Sequence, residues 1–184
     1  MEKIFIFKVT GLSPVLMNNP ACMEETPDAP KPSSKKKYPK EEEAKKRLYI
    51  NDKKELYLPT IAFTNSLWEG SAYIKFGKQT ARSVIASAIF AMEETVTLLD
   101  KDTEKPIKKY DIDSRWVVVN KARIMRHRPA VPNWMVYLAL EFDMDFIEPE
   151  QILPLFQRAG KIIGIMDFRP ACRGRFGRYT VEIK

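Results

Sequence analysis

Arginine and glycine are concentrated together in the stretch GKIIGIMDFRPACRGRFGRY, residues 160–179. Gly160, Gly164, Gly174 and Gly177 are four of the chain's 7 glycines, and Arg169, Arg173, Arg175 and Arg178 lie among them. Glycine lets the backbone approach a ligand closely, and turned-out N–H groups form an anion-binding concavity. Guanidinium groups add planar, two-pronged phosphate contacts and stack on flat rings. Phe168, Phe176 and Tyr179, interleaved with the arginines, offer surfaces on which bases can stack. From Arg158 to Lys184 there are 7 basic and 2 acidic residues, a local excess of +5. These residue types at this spacing suit phosphate binding. No Gly-Lys-Ser/Thr follows, so the stretch is not a P-loop, and no strand–G-x-G-x-x-G–helix pattern is present. The competing reading is a hairpin loop whose glycines serve turn geometry and whose arginines are simply solvated.

Two further basic segments accompany it. Arg123, Arg126, His127 and Arg128 form a knot between two expected strands. His127 is the only histidine; its near-neutral ordinary pKa would suit a general base acting on a 2′-hydroxyl, although a structural or phosphate-contacting role is the commoner one. Lys35, Lys36 and Lys37 lie in a segment, Lys31 to Lys54, with 10 basic and 4 acidic residues, a local +6. Asp111, Asp113, Asp143, Asp145 and Asp167 resemble a two-metal carboxylate set only weakly, because no histidine or third well-placed carboxylate accompanies them. Asp167 is expected to orient Arg169 instead.

The elements that must carry these groups follow from periodicity. Residues 3–10 (KIFIFKVT) alternate and end at Gly11, which predicts a buried first strand. Residues 18–47, with five prolines, predict a long insertion with a short helix at Glu41–Lys46. Leu48–Ile50 and Leu56–Leu58 predict a hairpin, and Pro59-Thr60 opens a helix ending at Gly77. A short helix at Thr80–Ala86 and a strand at Ile89–Leu99 follow, then a polar loop over Asp100–Asp113. Arg115–Ile124 predicts a strand, and Arg126–Pro132 a turn, because two prolines disfavour a ladder. Trp134–Asp143 predicts a strand. Pro149 starts a helix capped by Gly160, and Ile162–Met166 and Tyr179–Ile183 close the chain as strands. This order suits an α+β fold: a ferredoxin-like (RRM-like) antiparallel sheet with two main helices, a long insertion after the first strand and a C-terminal glycine-rich loop. The open sheet face and loops of that arrangement are frequent RNA-binding surfaces.

Composition bounds the reading. At 184 residues the chain is expected to form a single domain, residues 1–184, with 18–47 as the insertion. One histidine and 2 cysteines leave little for a metal centre or disulfide framework, and no cofactor is expected. No apolar run is long enough to span a bilayer, and the N-terminal residues are too charged for a signal peptide. A cytoplasmic protein with no membrane association is therefore expected. Its 31 Lys+Arg against 24 Asp+Glu give a formal charge of +7, which favours polyanionic partners.

Three places resemble the RAMP superfamily, the RRM-related proteins best known as CRISPR-associated RNA-binding subunits. GLSPVLM (residues 11–17) resembles the end of their first strand, and LYLP (56–59) running into the following helix resembles their helix entry. GIMDFR (164–169) with GRFGRY (174–179) resembles their C-terminal glycine-rich loop. The resemblance implies a ferredoxin-like core that binds single-stranded RNA, mainly by its backbone. It also implies subunits that stack side by side along the strand, as a homo-oligomer or filament or with other effector subunits. The loop's Asp-Phe-Arg-Pro departs from the commonest CRISPR form and looks more like a stand-alone or phage-borne relative in a bacterial cell. The expected function is thus non-enzymatic binding of single-stranded nucleic acid, RNA ahead of DNA. The expected contacts are Arg123, Arg126, Arg128, Arg169, Arg173, Gly174, Arg175, Phe176, Gly177, Arg178 and Lys35–Lys37, with Phe176, Tyr179 or Trp134 stacking on bases. Two rivals remain: a metal-independent endoribonuclease using His127, and a phage structural or assembly protein without a nucleic-acid ligand.

Overall fold

Alternation in the first residues has the consequence expected of it. A computed structural model describes residues 1–23, 39–119 and 121–184. In it, β1 (Glu2–Gly11) turns Phe7 and Val9 into the core, while Ile4 and Ile6 face out. β10 (Met135–Asp143) runs antiparallel beside it with Phe7 opposite Leu138, so Val136, Leu138, Leu140 and Phe142 share the buried face. Phe7 stacks on Phe142 at 5.7 Å between ring centroids. β11 (Tyr179–Ile183) flanks β1, and β6 (Ile89–Ala91) flanks β10. The strand order is β11-β1-β10-β6, antiparallel at every step.

The apolar face of this sheet is covered by helices. α4 (Pro149–Ile162) presents Ile152, Phe156 and Ala159 to it, with Pro149 in the first turn where its missing N–H costs nothing. The Gln151 side chain accepts from the Glu148 N–H at 3.0 Å, closing the helix start. α2 (Ile61–Gly70) packs beside α4 and buries Phe63 and Leu67. Tyr179 joins both helices to the sheet: its ring meets Phe63 and Phe156, and its hydroxyl bonds Ser66 at 2.9 Å. Burial pushes that phenol's pKa well up.

A second, smaller layer carries the basic residues. β8 (Asp111–Val119) and β9 (Ala122–Val131) form a long hairpin, and β2 (Val15–Leu16) pairs with the base of β9. α1 (Lys40–Lys46) packs against β9. The Asn19 N–H bonds the Arg47 carbonyl at 3.1 Å, so the two ends of the 18–47 stretch are tied together. The remaining elements are small: β3 (Tyr57–Pro59) with β7 (Thr95–Thr97), β4 (Lys75–Phe76) with β5 (Gln79–Thr80), and α3 (Ala81–Ala88). The architecture is α+β, with antiparallel sheets and four α-helices among the described residues.

Several local expectations are corrected. The strand expected over 115–124 is two strands: the ladder closes at the Val119–Ala122 pair, and Lys121 takes a left-handed φ of 65°. The turn expected over 126–132 is strand β9. Pro129 is tolerated there because the N–H and C=O of one strand residue point to the same side. Its carbonyl accepts from Met17 N at 2.9 Å, so its missing donor faces the short β2 edge and the β8 ladder loses nothing. α2 ends at Gly70 rather than Gly77, since Tyr73 at φ 68° breaks the helical path; Gly77 turns the β4–β5 hairpin. The strand expected over Ile89–Leu99 is split between two sheets, and the hairpin at 48–58 is reduced to an Ile50–Leu56 bridge. Gly160 is inside α4, not at its end. A Cβ there would overlap the Tyr179 carbonyl and ring, so close packing rather than capping requires glycine. Ile162–Met166 is the end of α4 and a turn, not a strand.

Candidate nucleic-acid interface

The hairpin sorts its side chains by strand alternation. Arg126 and Arg128 of β9 share one face with Asp113 and Arg115 of β8, since Arg126 pairs with Arg115 and Arg128 with Asp113. The other face carries Ser114, Trp116 and Val118 with His127, Met125 and Arg123. The first face is turned toward α1 and the C-terminal loop, the second toward solvent.

On the inner face the two basic segments of the sequence meet. Arg128 is buried, and its Nε lies against Asp167 Oδ2 in the loop that follows α4. Asp167 therefore serves Arg128 rather than Arg169. Leu16, Ala130 and Phe176 form a small apolar cluster with Phe168 beneath this pair. Arg115 is held by Asp113 at 2.6 and 2.8 Å, and its guanidinium lies 4.5 Å from the Phe176 ring centroid, a cation–π distance. Glu43 of α1 reaches both Arg47, at 3.2 Å, and Arg126, at 3.7 Å. Arg47 Nη1 also donates to Asn18 Oδ1. Asn18, Arg47, Val117, Arg126, Arg128 and Phe168 are among the lining of a cleft of about 520 Å³.

The glycine-rich loop is built differently from its sequence-level picture. Gly174 N donates to the Arg169 carbonyl at 3.0 Å and Gly177 N to the Pro14 carbonyl at 2.8 Å. Their amides are thus occupied within the protein, and phosphate contact falls to side chains. Gly177 is at φ 63°, where a Cβ would overlap the Ile165 carbonyl. Phe176, 7 % exposed, is a core ring rather than a stacking platform. The same correction applies to Tyr179 and to Trp134, whose indole N–H donates to the Ser13 carbonyl at 2.9 Å. Arg169 is engaged with Glu69 at 3.2 Å, beside a separate polar cleft of about 320 Å³ that includes Asn65 and Ser66. Arg173, Arg175 and Arg178 are exposed.

On the outer face Trp116 is 60 % exposed, next to the exposed Val118 and Met125, with Arg123 at the hairpin's far end. His127 shares a 2.7 Å hydrogen bond between Nδ1 and Ser114 Oγ, a cross-strand pair. Asp113 lies on Arg115, Asp167 on Arg128, and Asp143 and Asp145 on the N-terminal amine. Among the described residues no three His, Cys, Asp or Glu side chains are grouped to hold a metal. No helix there is long and apolar enough to cross a membrane. Lys35, Lys36 and Lys37 lie outside the described residues.

Sequence reasoning missed Asn18, Glu43, Arg47, Arg115 and Trp116. The Glu43–Arg47 spacing of four and the Arg-Trp pair inside a β-branched run were readable signals. That both would face Arg126 or the loop was not. No family model matches the sequence, and no curated protein matches it significantly.

Proposed function

We propose that this protein binds single-stranded nucleic acid, RNA in preference to DNA, as a non-catalytic cytoplasmic protein related to the RAMP superfamily. The observation that carries the reading is the convergence of two distant basic segments. Arg126 and Arg128 of β9 and the loop with Arg173, Arg175 and Arg178 adjoin through the Arg128–Asp167 pair, beside an exposed tryptophan. Exposed arginines give phosphate contact without sequence preference, and Trp116 offers a face on which a base can stack. The strand order β11-β1-β10-β6, antiparallel throughout, with helices on one face, supports reading the core as the split βαβ, ferredoxin-like arrangement. On this reading, copies line up along the strand.

Fluorescence anisotropy with a labelled oligouridylate at two salt concentrations tests this. Affinity is expected to fall steeply with salt, by a log–log slope of roughly 0.7 for each phosphate neutralised on a single strand. A flat response, or no binding, overturns the reading. Trp116→Ala is expected to weaken binding by about 1–3 kcal/mol through lost stacking. Light scattering with strands of increasing length checks the assembly, since the number of bound copies should rise with length.

A further inference from the structure

The inner cleft gathers charged side chains from three parts of the chain. Arg47, Arg126 and Arg128 bring three guanidinium groups to it, while Glu43 and Asp167 bring two carboxylates. Arg128 is 7 % exposed, and among the described residues its buried Nη1 has no hydrogen-bond acceptor. A buried guanidinium donor without an acceptor is costly to maintain, and such orphans call for a missing ligand or a missing partner. Val117 and Phe168 supply apolar wall beside these charges. The loop is held in place at a cost. Met166 and Phe168, neither a glycine, sit at φ 61° and 54°, and Asp167 lies between them. A bulky ring in that region is strained, and strain of this kind is retained where surrounding contacts fix the geometry. The volume, about 520 Å³, is within the range of small-ligand sites.

We infer that this cleft is a site for a single phosphate oxyanion, taken from the backbone of the bound strand. A phosphodiester oxygen supplies the acceptor that Arg128 Nη1 lacks among the described residues. Arg128 Nη1 and Arg126 donate to its oxygens, with Arg47 behind them. This rests on the proposed nucleic-acid reading but makes a separate claim. The exposed arginines Arg173, Arg175 and Arg178 follow the strand along the surface, whereas the cleft fixes one phosphate at depth and so sets the strand's register.

Calorimetric titration of wild type, Arg126→Gln, Arg128→Met and Arg175→Glu separates the two claims, with a 12-nucleotide oligouridylate and inorganic phosphate as the probes. Arg126 is partly exposed, so its variant stays informative if Arg128→Met fails to fold. The expected result is about a tenfold loss of oligouridylate affinity in Arg126→Gln, a salt slope smaller by roughly 0.7, and an unchanged melting temperature. Inorganic phosphate should compete weakly in wild type and not in Arg126→Gln. If Arg126→Gln binds as wild type does while Arg175→Glu binds weakly, the cleft is refuted and the nucleic-acid reading stands. If wild type ignores oligouridylate but binds inorganic phosphate through Arg126, the cleft stands as a site for free phosphate, its assignment to a strand is refuted, and the nucleic-acid reading falls. Binding of neither probe refutes both.

Discussion

The sheet-and-helix layer and the hairpin-and-loop layer are held together by different physics. In the first, Phe7, Phe142, Phe156 and Tyr179 interlock as rings, and almost every buried group is apolar. In the second, the apolar cluster is only Leu16, Ala130 and Phe176 with Phe168, and the closest contacts are ionic: Arg128 with Asp167, Arg115 with Asp113, Arg126 and Arg47 with Glu43. Apolar burial is non-directional and adds up with area. Buried ion pairs contribute little net stability but fail badly when one partner is removed. The first layer should therefore govern whether the chain folds. The second should govern what it binds, and should tolerate paired changes better than single ones.

The largest test of that contrast is Phe142→Ala. It empties the space beside Phe5 and Phe7 and should cost about 3–5 kcal/mol, read by urea unfolding. Next comes Asp167→Leu, which leaves Arg128 buried without its carboxylate. Because Asp167 is partly solvated, about 1–3 kcal/mol is expected rather than the full cost of a buried pair. The double variant Arg128→Met with Asp167→Leu should recover most of that loss while still binding oligouridylate weakly. If the double variant is no more stable than Asp167→Leu alone, the ionic account of the second layer is wrong. Smaller still in stability is Arg175→Glu: within about 0.5 kcal/mol of wild type in unfolding, but with weaker, less salt-dependent RNA binding. The smallest effect is expected from Asp100→Asn. Amide and hydroxyl donation from Thr103 holds the Asp100 carboxyl below its ordinary pKa. A folded pKa below the unfolded one stabilises at neutral pH, and that contribution is lost as pH falls below about 4. Melting temperatures at pH 7 and pH 3 should differ slightly less in the variant than in wild type.

The two layers were also unequally legible in the sequence. Alternation in KIFIFKVT and WMVYLALEFD is a local property of one strand, and it placed β1 and β10 to within a residue or two. Pro149 and the apolar spacing after it placed the start of α4, but Gly160, read as its end, lies inside it. The second layer depends on contacts between residues far apart in the chain. Nothing in RIMRHRPAV marks Pro129 as harmless until β2 is known to be short and on its donor side. Nothing in GIMDFRP separates Asp167's pairing with Arg128 from pairing with the nearer Arg169. The loop's composition pointed to amides, rings and arginines alike, but its aromatic rings and glycine amides hold the loop in place, leaving Arg173, Arg175 and Arg178 to face outward.

Among the described residues the small sheet runs β2-β9-β8, so β8 has a strand on one side only. Its RWVVV run is rich in β-branched side chains and carries little charge, and among the described residues no strand pairs with the backbone donors and acceptors of its outer edge. Such an edge is a template for another strand, whether from a second copy or from an unfolded chain. On the proposed reading, a nucleic-acid strand bound along the hairpin would shield that edge, and the protein without it should be the more prone to self-associate.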